Sequence, residues 1–229
     1  MRSKTRRSSA LKAFERSTRL VPWALLGLWG WCLAKALSSG ELVWWLALLA
    51  AIYVVPVAVY RLFALLVPLH DGASHLGPKE APSGWAMAHR FQILFHVFES
   101  LERVLRLFPG VYSAWLRAWG STIGKRVVWT PHTRIGDRTH LRIGDDVFIG
   151  NASYLSPHLA RRKNGRYLVL VKPIVLEAGS TVGTHCILGP GAHLKPGEEM
   201  RAFSVLVNGR SYVVDGHEVK AGDHVTHFL

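Results

Sequence analysis

Histidine carries the most readable chemistry in this chain. His132, His158 and His185 each stand at the fourth place of a six-residue unit, opened by Trp129, Leu155 and Val182 respectively. An imidazole titrates near neutral pH and moves a proton either way, so these residues qualify as general bases or acids. His158 has the most distinctive setting. It ends the run Ser156-Pro157-His158 and precedes a basic stretch with Arg161, Arg162, Lys163 and Arg166, whose side chains could grip a phosphate. Asn151 offers an amide that could orient His158 or bond an acyl group. Each has a plainer reading: a surface histidine, a solvated basic loop, an asparagine that caps a turn. The two cysteines, Cys32 in an apolar stretch and Cys186 inside a repeat, support neither a disulfide framework nor a cysteine metal site.

The elements that must position these groups show as a repeat. From Ile123 the chain divides into sixes beginning at Ile123, Trp129 and Ile135. After two extra residues come Ile143, Ile149 and Leu155, and a second block begins at Leu176, Val182 and Leu188. The first place is bulky and apolar throughout, the second is glycine in six of nine hexads, and the fifth is small or β-branched except at Leu159. An aliphatic residue every six, with a small one four places later, suits a triangular coil whose interior takes the aliphatic side chain. Glycine is expected to permit a tight turn. An antiparallel sheet would instead alternate with period two. On this pattern Cys186 is a small interior residue, and the fourth-place histidines point outward. The expected fold is mainly β: a left-handed parallel β-helix preceded by two transmembrane helices and amphipathic helices.

The pattern resembles the hexapeptide-repeat acyltransferase superfamily over residues 120 to 210. The strongest local match runs from Ile143-Gly144-Asp145-Asp146-Val147 through Ser156-Pro157-His158, followed by a basic excursion and a restart at Pro173-Ile174-Val175. The galactoside and maltose O-acetyltransferases share this plan, and the resemblance makes His158 the catalytic base that deprotonates a hydroxyl or amine attacking an acyl thioester. It also implies a homotrimer, and acetyl-CoA or another acyl-CoA as cosubstrate with no permanently bound cofactor. By the same resemblance Gly183, Lys195 and Arg210 would contact the coenzyme. From their fourth places His132 and His185 could face the same cleft as His158, and Arg161 and Arg162 could hold donor phosphates or a phosphorylated acceptor lipid, so these four are the expected substrate contacts. The C-terminal condensing units of poly-lysine synthetase-like enzymes look similar along Val182–Leu188 and Ser204–Gly209, and imply a carrier-bound aminoacyl or acyl donor with an amide product. Two features depart from the acetyltransferases. Their Trp-Ile-Gly is Thr181-Val182-Gly183 here, and the last coil reads as shortened, which weakens the case for coenzyme A. Zinc-dependent carbonic anhydrases also use this fold, but their close histidine pair is missing, since His185 and His193 are eight apart. No metal ligands are assigned. A non-catalytic β-helix scaffold is the remaining alternative.

The rest of the chain is basic and apolar together, with a net charge of +13 and 49% hydrophobic residues. That combination points to anionic lipid headgroups. Nucleic acid is not expected as a partner, because zinc-finger, RNA-binding and basic heptad patterns are missing. Two apolar runs, Leu20–Leu37 and Leu42–Leu69, are each long enough to cross a bilayer of about 30 Å, with Lys35 snorkelling to the interface. Ala34-Lys35-Ala36 resembles a signal-peptidase site, but the second span and the long basic leader favour a retained anchor. The positive-inside rule then puts both the leader and everything after Leu69 in the cytosol, with the bacterial inner membrane as the expected location. From Trp85 to Phe108 an amphipathic helix is expected, its stripe formed by Phe91, Leu94, Phe95, Phe98, Leu101 and Leu105, with Arg90, Glu99, Glu102, Arg103 and Arg106 mostly off it. The chain therefore reads as a basic cytosolic leader (1–19), a transmembrane hairpin (20–69), a linker with amphipathic helices (70–119), a β-helix domain (120–200) with a loop at 160–172, and a C-terminal strand or tail (201–229). The acceptor is expected to be a lipid, or a lipid-linked or exported saccharide, inferred only from the membrane setting.

Overall fold

The computed structural model describes residues 12–77, 80, 82–163, 165–208, 210–215 and 218–221. Residues 1–11 of the basic leader, and the side chains of Lys163 and of residues 210–221, lie outside that description. The chain forms two compact units. Among the described residues the first contains 12–70, 74–77, 80, 82–97, 162–163 and 165–167, and the second all the rest.

The first unit is helical: α1 (12–18), α2 (Val21–Ser39), α3 (Leu42–Tyr53), α4 (Val55–Leu66) and α5 (Gly84–Val97). Small buried residues, Cys32, Ala36 and Ala51, let α2 and α3 approach closely, and Trp29 Nε1–H donates to the Ala51 carbonyl at 2.9 Å. Lys35 lies 6.0 Å from the ring centre of Trp44, which favours the cation–π arrangement. The second apolar run is not one straight helix. Pro56 lacks an N–H and its ring crowds the carbonyl four residues back, so the helical hydrogen bonding is interrupted there, while Val54 keeps right-handed φ/ψ and the chain continues as α4. Phe63 of α4 stacks on Phe14 of α1 at 6.0 Å and packs against Phe91 of α5 at 5.0 Å. Lys12–Ser39 and Leu42–Leu66 are long and apolar enough to cross a membrane, and Trp23, Leu37, Leu42, Leu62 and Leu65 stand exposed on them. The turn-rich segment after them contains one short strand, β1 (Gly72–Leu76).

The second unit begins where the single helix expected over 85–108 proves to be two. It breaks at Phe98, and α6 (Ser100–Arg106) begins two residues later, followed by α7 (Val111–Trp119). Glu102 is the physical reason that α6 faces as it does. It was expected off the apolar stripe, yet it is only 4% exposed because Arg138 Nε donates to it at 2.5 Å. Tyr112 Oη–H donates to the same carboxylate at 2.6 Å, and Arg106 lies 3.4 Å from it. Burial, and then the Glu102 charge, push the Tyr112 phenol far above its ordinary pKa.

The rest of the unit is the left-handed parallel β-helix that the six-residue period dictates. One face stacks β2 (Thr122–Ile123), β5 (Leu141–Ile143), β10 (Ile174–Leu176) and β13 (His193–Leu194). The next stacks β3 (Val128–Trp129), β6 (Phe148–Ile149), β11 (Thr181–Val182) and β14 (Glu199–Met200). The third stacks β4 (Arg134–Ile135), β7 (Tyr154–Leu155), β12 (Ile187–Leu188) and β15 (Ser204–Val207). Register is in phase, with Ile123 beside Ile143, Ile149 beside Val182, and Leu155 beside Leu188. Ile143, Ile149, Leu155, Leu176, Val182 and Leu188 are all buried, as are the fifth-place Val147, Ser153, Ser180, Cys186 and Ala192. The last coil is not shortened: Leu194, Met200 and Leu206 continue the sixes in register.

Glycine's role differs from the expected turn. The second-place glycines do not take the left-handed conformation; a Cβ on Gly124, Gly144, Gly150 or Gly183 would lie 2.4–2.6 Å from backbone of the next coil. They permit close stacking, and the fourth place makes the turn. Arg126, His132, Asp146, Ala152, His185 and Phe203 all have positive φ there, joined by Gly179, Gly191 and Gly197. Two fourth-place residues stand outside this set: Arg138 and His158.

Both ends of the coil are dressed. At the first, Gly120 at φ 115° ends α7, and Arg117 donates through Nε and Nη2 to the carbonyls of Ile123 and Gly124, each at 2.7 Å. Trp129 packs edge-on against Tyr112 and donates to Ser113 Oγ at 2.9 Å. At the other, β15 pairs antiparallel with β16 (Arg210–Asp215), which pairs with β17 (Glu218–Ala221). The basic excursion is a pair of strands, β8 (His158–Lys163) and β9 (Arg166–Val171), adjacent in one sheet.

Candidate active site

Irregular spacing creates the site. From Leu188 to Leu194, across the third corner of the coil, is six residues; from Ile135 to Ile143 is eight and from Leu155 to Leu176 twenty-one. Both insertions fall at the corner after the third face, so the chain there need not make the left-handed turn. Because β4 lies beside β7 in register, Asp137 and Arg138 of the earlier coil are brought next to Pro157 and His158 of the later one.

His158 Nδ1 lies 2.5 Å from Asp137 Oδ2, with the Asp137 side chain 1% exposed and that of His158 18% exposed. A carboxylate oxygen only accepts, so Nδ1 carries the hydrogen and the ring's proton-accepting lone pair belongs to Nε2. The backbone around His158 is held on both sides. Ser156 Oγ–H donates to the His158 carbonyl at 2.8 Å, Ser156 N–H to the Leu188 carbonyl at 2.7 Å, and Lys172 N–H to the Pro157 carbonyl at 2.9 Å. An imidazole oriented by a buried carboxylate is the arrangement that general-base catalysis requires.

His140 belongs to the same neighbourhood. It is 9% exposed, its Nδ1 lies 2.7 Å from Thr139 Oγ1, and Asp71 Oδ1 is 3.9 Å from its Nε2. Burial lowers its pKa below 6.5; the Asp137 and Asp71 charges oppose that, and Arg142 and His158 add to it. Asp137 and His140 were both missed by the sequence reading. The available signal was the pair of insertions after the third hexad, which must stack at one corner.

The other expected site residues are spread around the coil. His132 and His185 occupy the corner after the second face, separated from His158 by the width of the third. They do not share a cleft with it within this chain. The His185 ring stacks on Phe203 of the following coil at 5.1 Å, nearly parallel. Asn151 is at that same corner, where its carbonyl accepts from His185 N–H and Thr184 Oγ1–H, both at 2.8 Å. Within hydrogen-bond reach of the His158 ring lies the Asp137 carboxylate. Gly183 is required by the backbone of Ala202 above it. Lys195 is exposed after β13, its N–H donating to Glu198 Oε2 at 2.8 Å. Arg161 and Arg162 are exposed on β8, the strand that His158 opens, and the side chain of Arg210 is among those not described. Cys186 is fully buried, and desolvation raises its thiol pKa, so it has the character of core and not of a nucleophile.

No protein-family model and no curated protein matches the chain. Among solved structures, it is similar to a hexapeptide-repeat-containing acetyltransferase from Vibrio cholerae complexed with acetyl coenzyme A. That match has 14% identity and a TM-score of 0.34, covering 55% of this chain and 90% of the other. Another structure of the same Vibrio cholerae acetyltransferase matches at 13% identity and a TM-score of 0.34, covering 55% and 93%.

Proposed function

We propose that the protein is a membrane-anchored acyltransferase in which His158 is the general base and Asp137 its positioning residue. The observation that carries this reading is the His158–Asp137 pair, set where an otherwise regular hexapeptide coil is interrupted. The acceptor O–H or N–H gives its proton to His158 Nε2 as the oxygen or nitrogen attacks the thioester carbonyl carbon. The resulting tetrahedral oxyanion collapses, the C–S bond breaks, and the thiolate takes the proton back from the imidazolium. Asp137 keeps the ring in the tautomer that can accept at Nε2 and stabilises the transient cation.

Acetyl-CoA is the proposed donor substrate, and the complete last coil removes one objection to it. Lys195, and Arg161 and Arg162 on β8, are proposed to meet its phosphates. The two spans hold the catalytic unit at the inner face of a membrane, so the acceptor is a lipid or a lipid-linked or exported saccharide. A homotrimer is the proposed assembly.

Mass spectrometry of lipids and glycans from cells carrying wild-type or His158→Ala protein tests the reading. The expected result is a product heavier by one acetyl group that disappears with the variant. Identical profiles, with the variant present and folded in the membrane, would refute it.

A further inference from the structure

The first unit contains a cavity of about 500 Å³, lined by Lys12, Glu15, Arg16, Arg19 and Arg90 together with Leu76, Gly77, Glu80 and Ala86. We infer that this cavity binds a phosphate group presented at the membrane surface, as on an anionic lipid headgroup. The inference stands apart from the acyltransfer reading and uses none of its residues.

Charge favours an anion. Four cations line the cavity against two carboxylates, and both carboxylates are already engaged. Glu15 pairs with Arg90 at 3.2 Å and Arg19 at 3.6 Å, and Glu80 with Arg166 at 3.4 Å. Among the described residues Lys12 and Arg16 have no side-chain partner. Lys12, Arg16 and Arg19 follow the i, i+4, i+7 spacing, so α1 and the turn after it bring all three to one side.

The walls are built. Arg90 of α5 is 18% exposed and donates through Nη1 to the Glu15 carbonyl at 2.6 Å and to Thr18 Oγ1 at 2.5 Å. Thr18 is itself buried. This clamp fixes α1 against α5, so the three cations are held by a folded scaffold. A guanidinium pair with a lysine beside it matches the charge and acceptor geometry of phosphate oxygens.

Position selects a lipid-borne phosphate. Arg19 lies just before the apolar stretch of α2, and Phe14 stacks on Phe63, three residues from the end of α4 at Leu66. The cavity is therefore level with the same end of both apolar spans, where headgroup phosphates lie.

The test uses the full-length chain in neutral detergent micelles, titrated with short-chain phosphatidic acid, short-chain phosphatidylcholine and inorganic phosphate. Phosphatidic acid is expected to bind at least about tenfold more tightly than phosphatidylcholine, and the triple variant Lys12→Gln, Arg16→Gln, Arg19→Gln to lose about tenfold or more. A control with equal charge loss, Lys125→Gln, Arg142→Gln, Arg201→Gln, is expected to bind like wild type. Both triples alter partly or fully exposed side chains, and circular dichroism checks that each folds. Displacement of the lipid by inorganic phosphate at comparable concentration would support the phosphate site and assign it to a soluble source. Failure of displacement, with tight lipid binding, supports a lipid headgroup. Equal affinities in wild type and the pocket variant, or equal losses in both triples, would overturn the inference.

Discussion

At the corner after the second face, His132, Ala152, His185 and Phe203 all take the left-handed conformation, one coil after another. At the corner after the third face, Arg138 and His158 leave it, and Gly191 in the regular coil above resumes it. All seven occupy the same place in their hexads. The difference comes from the insertions, which relax the turn only at the third corner and let fourth-place side chains reach buried carboxylates. Arg138 reaches Glu102, and His158 reaches Asp137. Regular coil gives histidine a corner to decorate; interrupted coil gives it a partner.

The sharpest way to break this contrast is at Asp137. Asp137→Asn is expected to lower turnover about 10²- to 10⁴-fold, because an amide no longer enforces the useful tautomer. His185→Asn should leave turnover within about twofold, since that ring serves coil stacking. Steady-state thiol release from acetyl-CoA by full-length protein reads both, and equal losses would erase the distinction between corners. Glu102→Gln tests the other partner. It strands Arg138 in the interior, and denaturant unfolding should show a loss of about 3–5 kcal/mol. Adding Arg138→Met should recover part of that loss, because one of the two cations that Glu102 neutralises is then gone.

The pH dependence of stability gives a smaller effect. The His140 pKa is lowered in the folded state below its ordinary 6.5. Below pH 6.5 the unfolded chain therefore binds more protons, and stability present above that pH is lost as pH falls through the lowered value. Melting temperature measured against pH should decline in that window, and His140→Asn should flatten the decline. The smallest effect belongs to the regular corner. His132→Gly should change stability by no more than about 1 kcal/mol, since relief of the left-handed strain is offset by added freedom in the unfolded chain. Activity should not change.

Much of the fold was legible because each hexad states its own inside and outside. Ile143, Ile149 and Leu155 could be placed in the core from spacing alone, and Cys186 with them. The site was only half legible. Ile135-Gly136-Asp137 and Ile143-Gly144-Asp145 are the same triplet, yet Asp145 is exposed and accepts from the Lys125 N–H at 2.7 Å, whereas Asp137 is buried on His158. Local sequence does not separate them; the coil stacked against each does. Glu102 was misplaced for a related reason. Helical periodicity sorts side chains by polarity along one helix, and it is blind to an arginine thirty-six residues away that makes burial tolerable. Lys12, Arg16 and Arg19 read only as part of a basic leader until Arg90 and Thr18 gave them a common wall.

Arg117 has a consequence beyond the interactions it makes. A stack of parallel strands has no natural last member, because each coil presents to the next the hydrogen-bonding groups that it received from the one before. Two such ends that met could join, and the joining need not stop. By seating its guanidinium on the carbonyls of Ile123 and Gly124, Arg117 occupies acceptors that an incoming strand would require. It acts as a chain terminator in the polymer chemist's sense.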